Sequence, residues 1–210
     1  MLARPSTAEL LAADLRREIL DGAPAPGERL RERELVERYG VARHTLRAAL
    51  RQLAGEGLVR IEPHRGAAVA RLDPEDVRWL YELRAALELE AAHLALERHG
   101  GRLPEPVHAA LAALEGACAG PDPSWSEVSH AHAALHGAIV AASESPRIMA
   151  AHAALTGELL LFLSQLQPHV EAGGLAADHA ALVAALEREG AGVLRAHLRE
   201  SAETLGARLA

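Results

Sequence analysis

The chain has 210 residues, enough for two modest domains that each bury a core of their own. Half of the residues are hydrophobic but only 2% are aromatic, the formal net charge is −7, and the single cysteine excludes an internal disulfide and suits a reducing compartment. The opening Met1-Leu2-Ala3-Arg4-Pro5 lacks a signal-peptide core and no apolar run reaches membrane-spanning length, so we expect a soluble, cytoplasmic protein with no membrane contact.

The charge is unevenly spread. Residues 1–72 hold 13 Arg against 10 acidic residues, whereas residues 73–210 hold 9 Arg against 19. A weakly basic head on an acidic body confines contact with a polyanion to one domain. Ser6 and Glu9 have the spacing of a capping box, so a first helix is expected from about Thr7, with Leu11, Leu15 and Ile19 on one face. Gly22 and the Pro24–Pro26 pair stop it.

The stretch from Arg33 to Leu58 predicts two short helices. Leu35, Val36 and Tyr39 give the first an apolar face, and Gly40 ends it. Leu46, Ala49, Leu50 and Leu53 form the stripe of the second, with Arg43, His44, Arg47 and Arg51 on its opposite face. Two helices joined by a glycine turn, the second carrying arginines outward, make a helix-turn-helix, because the guanidinium fork can bridge phosphate oxygens or guanine O6 and N7. The plain alternative is a helical hairpin with a solvated charged face. Val59-Arg60-Ile61, a turn over 62–66 with a basic tip, and Ala67–Ala70 follow as a small β-hairpin, which is the wing of a winged helix-turn-helix.

This run resembles the GntR family of bacterial transcription regulators. The residues that carry the resemblance are Pro26-Gly27-Glu28-Arg29-Leu30, Glu32–Leu35, Gly40–Arg43, Leu46–Leu50, Glu56–Val59 and Arg65-Gly66. Ala42 stands where the family usually has Ser or Thr, and Thr45 where Pro is frequent. The resemblance implies double-stranded operator DNA as partner, contacted through Arg33, Arg43, His44, Thr45 and Arg47 and through the wing's His64, Arg65 and Gly66.

Asp73-Pro74-Glu75-Asp76 is a helix start, with an Asp cap, Pro in the first turn and acids behind it. We place the domain boundary there: a DNA-binding domain over 1–72 and an all-α domain over 73–210. Helices are expected over 74–99, 104–119, 124–144, 146–166, roughly 170–188, and 191–208, divided by glycine and proline breaks. Short breaks favour an antiparallel bundle, so the fold class is mainly α.

Ten of the 12 histidines lie after residue 72. His93, His99, His108, His152 and His169 fit ordinary surface or half-buried positions. His132 and His136 project from one helix face about one turn apart and can share a metal ion, although chance pairing in a histidine-rich chain gives the same spacing. His179 and His197 can close such a site from the last two helices.

Residues 77–96, with Leu80–Glu88 and Ala91-Ala92, resemble the opening of the FCD effector domain found in the FadR-type branch of the same family. His132-Ala-Ala-Leu-His136 running to Ser145-Pro146, Asp178-His179 and Ala196-His197-Leu198 resemble its later motifs. The resemblance implies a metal held by His132, His136, His179 and His197 and a pocket for a small carboxylate effector with Arg84 as its clamp. A single DNA-binding head has few phosphate contacts, so a homodimer held mainly through residues 73–210 is expected. Two departures stand out. His132 occupies the family's Asp position, so a site of four neutral imidazoles would favour zinc or nickel, or copper, over magnesium, calcium or manganese. The stretch from His179 to His197 is about one turn shorter than the family pattern. Arg84 can equally pair with Glu88, one turn along.

The expected function is thus a ligand-responsive, DNA-binding transcription regulator whose helical domain binds a small organic acid at a histidine-held metal. The alternative is a winged-helix regulator whose metal-free bundle serves only to dimerise. A metalloenzyme is not expected, since no His-Glu-x-x-His, paired Glu-x-x-His or nucleophile motif is present.

Overall fold

The computed structural model describes residues 5–63, 65–166 and 171–207. The chain divides after Arg71 into two compact units. In the first, α1 (Thr7–Leu20) starts at Ser6, whose side chain accepts from the Glu9 amide while Glu9 accepts from the Ser6 amide. The strand β1 (Arg29–Leu30), α2 (Glu32–Tyr39), α3 (Arg43–Gly55), β2 (Val59–Glu62) and β3 (Gly66–Val69) follow. The apolar stripe of α3 is fully used: Leu46, Ala49, Leu50 and Leu53 are buried, packed with Leu11, Leu15 and Ile19 in the core of the unit. Burying one such leucine is worth roughly 1.5–3 kcal/mol, so these stripes fix which face of α3 turns outward. Arg16 clamps the end of α3 through two bonds of 2.7 and 2.6 Å to Glu56, and Arg38 ties α2 to Glu18 of α1 at 2.6 Å. Gly40 closes α2 at φ 63°, a left-handed conformation that costs glycine nothing and a side-chain residue about 1 kcal/mol or more.

The wing is larger than the sequence suggests. Its sheet has the order β1-β3-β2, all antiparallel, with Arg29 opposite Ala68 and Val59 opposite Val69. β1 is only two residues long, too short for any alternation to register in the sequence.

The second unit is helical: α4 (Pro74–Arg98), α5 (Glu105–Cys118), α6 (Trp125–Ala141), α7 (Pro146–Ala153), α8 (Thr156–Leu166), α9 (Ala172–Glu189) and α10 (Gly192–Gly206). Asp73 caps α4 by accepting from the Glu75 and Asp76 amides. Leucine, valine and alanine fill the core, with Tyr81 and Phe162 meeting edge to face at 5.9 Å between ring centres. The helix expected over 146–166 is two helices. The Leu155 amide bonds to the His152 carbonyl, a tighter turn than α, and the weak helix formers Thr156 and Gly157 open α8. The expectation that no stretch reaches membrane-spanning length also needs correction. Pro146–Gln165 is 20 residues long with mean hydropathy 1.3. It is broken at 154–155, and Leu159, Leu161, Phe162 and Leu163 are buried within the protein.

Candidate functional site

On the first unit, α3 presents Arg43, His44 and Arg47 on its exposed face, with Thr45 half-buried beside them. Arg33 is exposed on α2, and Arg65 and Gly66 on the wing. His64 lies outside the described residues. Arg47 is not a loose side chain: its Nε donates to both Glu32 carboxylate oxygens, at 3.0 and 3.1 Å. Arg65 stands 3.6 Å from Glu62 across the wing turn. Both pairs are solvent-exposed and screened, so they contribute little and a phosphate can displace either carboxylate at little cost.

On the second unit, five helices converge on one buried polar centre. The inward stripe of α6 runs Val128, His132, Leu135, His136, Ile139, so both histidines are carried inside by apolar neighbours at helical spacing. Likewise His179 heads the buried stripe of α9 that continues through Leu182, Val183 and Leu186. Arg84 and Glu88 lie on the buried face of α4, each 1% exposed.

Glu88 is the hub. Its Oε1 accepts from Arg84 Nε at 2.7 Å and lies 3.1 Å from His152 Nε2; its Oε2 lies 2.7 Å from His136 Nδ1. Burial alone would raise the Glu88 carboxyl, but Arg84 and then His136 hold it well below the ordinary range. It is therefore a carboxylate, which can only accept, and the His136 Nδ1 must carry the hydrogen. His179 Nδ1 lies 2.7 Å from the Leu175 carbonyl, another pure acceptor, so it too carries the hydrogen. Burial lowers the His136 imidazole, and burial plus neighbouring His136 pushes His179 down to about 3. Both rings are neutral, so both Nε2 atoms are bare lone pairs. They face each other at 3.1 Å.

Two lone pairs held at that distance repel unless a cation lies between them. The separation suits two nitrogens each about 2.0–2.1 Å from one ion. His132 also fits. Burial and the adjacent imidazoles hold it neutral, and its Nδ1 is buried without a partner. His132, His136 and His179 each offer a nitrogen within 4.8 Å of the others. His197 is not in that group; half-buried on α10, its ring centre is 4.8 Å from that of His179 and 5.9 Å from that of His136. Carboxylate-to-histidine bonds such as Glu88 to His136 are the usual means by which a ligand ring is oriented.

Arg84 takes the second of the two roles considered for it, the pair with Glu88. It pairs with Glu88 and stacks on Tyr81, with its guanidinium carbon 4.7 Å from the ring centre, but its Nη2 is buried with no partner. That nitrogen belongs to a residue lining a cavity of about 30 Å³ shared with His132, His136, His179 and His197. Sequence reasoning placed His152 among ordinary histidines and missed the hub function of Glu88. The spacing of Ile148, His152 and Leu155, on one face at i, i+4 and i+7, was the signal that His152 turns inward.

Comparison with known proteins gives the same division of the chain. Residues 7–69 match the model of bacterial regulatory proteins of the gntR family, and residues 79–204 match the FCD domain. The repressor GlaR of Escherichia coli is 34% identical over 60% of this chain, a match that spans only 59% of GlaR itself. A D-xylose utilization operon repressor of Paenarthrobacter nicotinovorans is 28% identical over 81% of this chain and 74% of its own length. A GntR-type regulator from Rhodococcus sp. RHA1 superposes with a TM-score of 0.76 at 25% identity, covering 96% of this chain and 98% of that one. These relatives are transcription regulators and not enzymes, and the chain belongs to the GntR family of bacterial regulatory proteins, with an FCD domain as its second unit.

Proposed function

We propose that the protein is a dimeric transcription regulator that binds operator DNA through α3 and the wing, and that its FCD domain holds a divalent transition metal, zinc or nickel, beside a small carboxylate effector. The observation that carries the metal is the pair of bare Nε2 atoms of His136 and His179 at 3.1 Å. His132 and these two would be the protein ligands, with His197 as the nearest further imidazole. A nitrogen-rich set of this kind favours borderline metals over magnesium or calcium. Bound there, the ion would polarise and anchor a ligand carboxylate, and the unpartnered Nη2 of Arg84 would supply a second donor to it.

Dimerisation follows from the DNA side: one head makes few phosphate contacts, and two heads on paired half-sites multiply them. Trp79 and Leu83, one turn apart on α4 and 52% and 48% exposed, are uncovered apolar side chains on the second unit that can serve the interface. A ligand that changes the placement of the heads would then change their fit to the half-sites.

Elemental analysis of the purified protein, with melting curves taken with and without a chelator, tests the metal. About stoichiometric zinc or nickel and a lower melting temperature after chelation are expected, because an ion that binds only the folded state stabilises it. Protein that stays metal-free and unshifted after incubation with both ions refutes the metal and leaves the metal-free bundle, in which Glu88 with its three donors is simply a paired polar core.

A further inference from the structure

We infer that the ligand taken up beside the histidines is a zwitterion, an organic acid that also carries an amine, bound with its carboxylate inward and its ammonium outward. The inference rests on the metal-centred reading above and deepens it by naming the ligand class.

The inner end of the site calls for negative charge. Arg84 Nη2 is fully buried without a partner, beside the candidate cation of the three histidines, and Arg84, His132, His136 and His179 all line the cavity of about 30 Å³. That volume takes a water-sized group or two, enough for the head of a carboxylate and no more. The remainder of any ligand has to lie in the groove next to it. Between α9 and α10 runs a groove of about 810 Å³, and His179, His197, Leu175 and Ser201 line both spaces. The size suits a small metabolite.

The walls of this groove are of the opposite sign. Glu171, Asp178 and Glu200 line it, and among the described residues no arginine does. The arginines of α10 do not soften it, because Arg195 and Arg199 line a separate groove against α4, together with Arg78. A dicarboxylate reaching inward would leave its outer carboxylate among three others. An ammonium in the same place meets complementary charge. The site is thus bipolar along its axis, with the Arg84 donor and a candidate cation at the bottom and carboxylates along the walls, and the ligand that matches both ends is bipolar too.

The test is calorimetric titration of the full-length, metal-loaded protein with three probes of matched length: 6-aminohexanoate, hexanoate and adipate. 6-aminohexanoate is expected to bind about tenfold more tightly than either of the others, as one or two solvent-exposed charge pairs allow. Asp178→Asn combined with Glu200→Gln should abolish that margin, and Glu200→Lys should move the preference toward adipate. Adipate binding as tightly as the amino acid, no measurable binding of 6-aminohexanoate, or a preference unchanged in the double variant overturns the inference. Elemental analysis of the same samples reports on the metal separately. A metal-free protein that keeps the amine preference sinks the metal alone, and a loaded protein that prefers adipate sinks the zwitterion alone.

Discussion

Replacing Glu88 by Gln probes the centre without touching any candidate ligand. Each Glu88 oxygen now accepts from a donor: Oε1 from Arg84 and His152, Oε2 from His136. Glutamine has one oxygen and one NH2, so it cannot face donors on both sides. The least costly arrangement keeps the oxygen toward Arg84 and His152 and turns the NH2 toward His136. The His136 ring must then move its hydrogen from Nδ1 to Nε2, which converts the bare pair at 3.1 Å into an ordinary Nε2–H to Nε2 hydrogen bond with His179. Loss of a second partner of this type lowers metal affinity about 10- to 100-fold. Removing one side of a buried ion pair costs about 3–5 kcal/mol, because Arg84, 1% exposed, is left without its counter-charge. At about 3 °C per kcal/mol for a protein of this size, the melting temperature should fall by roughly 9–15 °C. Calorimetric unfolding with metal analysis of both proteins reads both effects. A variant that melts within about 2 °C of wild type and keeps its metal refutes the hub.

Three further outcomes are expected. Arg43→Ala or Arg47→Ala should each weaken operator binding by roughly 1–3 kcal/mol if the residue reads a base, measured by fluorescence anisotropy on a selected operator; unchanged affinity in both folded variants removes α3 from the DNA. In the metal-free protein His179 is held at about 3, below the ordinary imidazole value of about 6.5, so the folded state binds fewer protons than the unfolded one. Its stability contribution is complete above pH 6.5 and lost as pH falls from there toward 3, at up to about 1.4 kcal/mol per unit, and melting temperatures flat between pH 7 and pH 4 would contradict this. Light scattering of the full chain at micromolar concentration should give a dimer that Leu83→Arg weakens; a wild-type monomer places no interface on α4.

The fold was legible wherever an apolar stripe met a clear stop. Gly40 after Leu35 and Tyr39, and Asp73-Pro74 before Val77, are local signals whose outcome tertiary contacts reinforce. The division at 154–155 was not legible, because Thr156 and Gly157 are weak formers inside a stretch whose inward stripe runs on without interruption. β1 was not legible because its two residues owe their strand to pairing with β3, Arg29 with Ala68 and Leu30 with Ala67, partners too distant in sequence for any local pattern to record. In the centre, spacing revealed His132 and His136 on one face of α6. That Glu88 and His152 join them depends on how α4 and α7 pack against α6, and helical spacing is silent about which stripes meet.

The carboxylate that the proposed ligand set lacks has a physical counterpart in Glu88. A site of three or four neutral imidazoles leaves the full double charge of a divalent ion uncompensated among its direct ligands. One bond further out, Glu88 places a buried negative charge 2.7 Å from His136 Nδ1, where it makes that ring a stronger base toward an ion at Nε2. The same carboxylate is shared with Arg84, also at 2.7 Å, so the pair contributes no net charge of its own. An ion added to this centre therefore keeps most of its positive charge within the cavity, next to the unpartnered Arg84 Nη2. That surplus is what would draw an anionic group inward past the carboxylates of the α9–α10 groove, and it disappears when the ion does. The effector should then bind tightly only to the metal-loaded protein, and the ion and the ligand should each raise the other's affinity by the same factor.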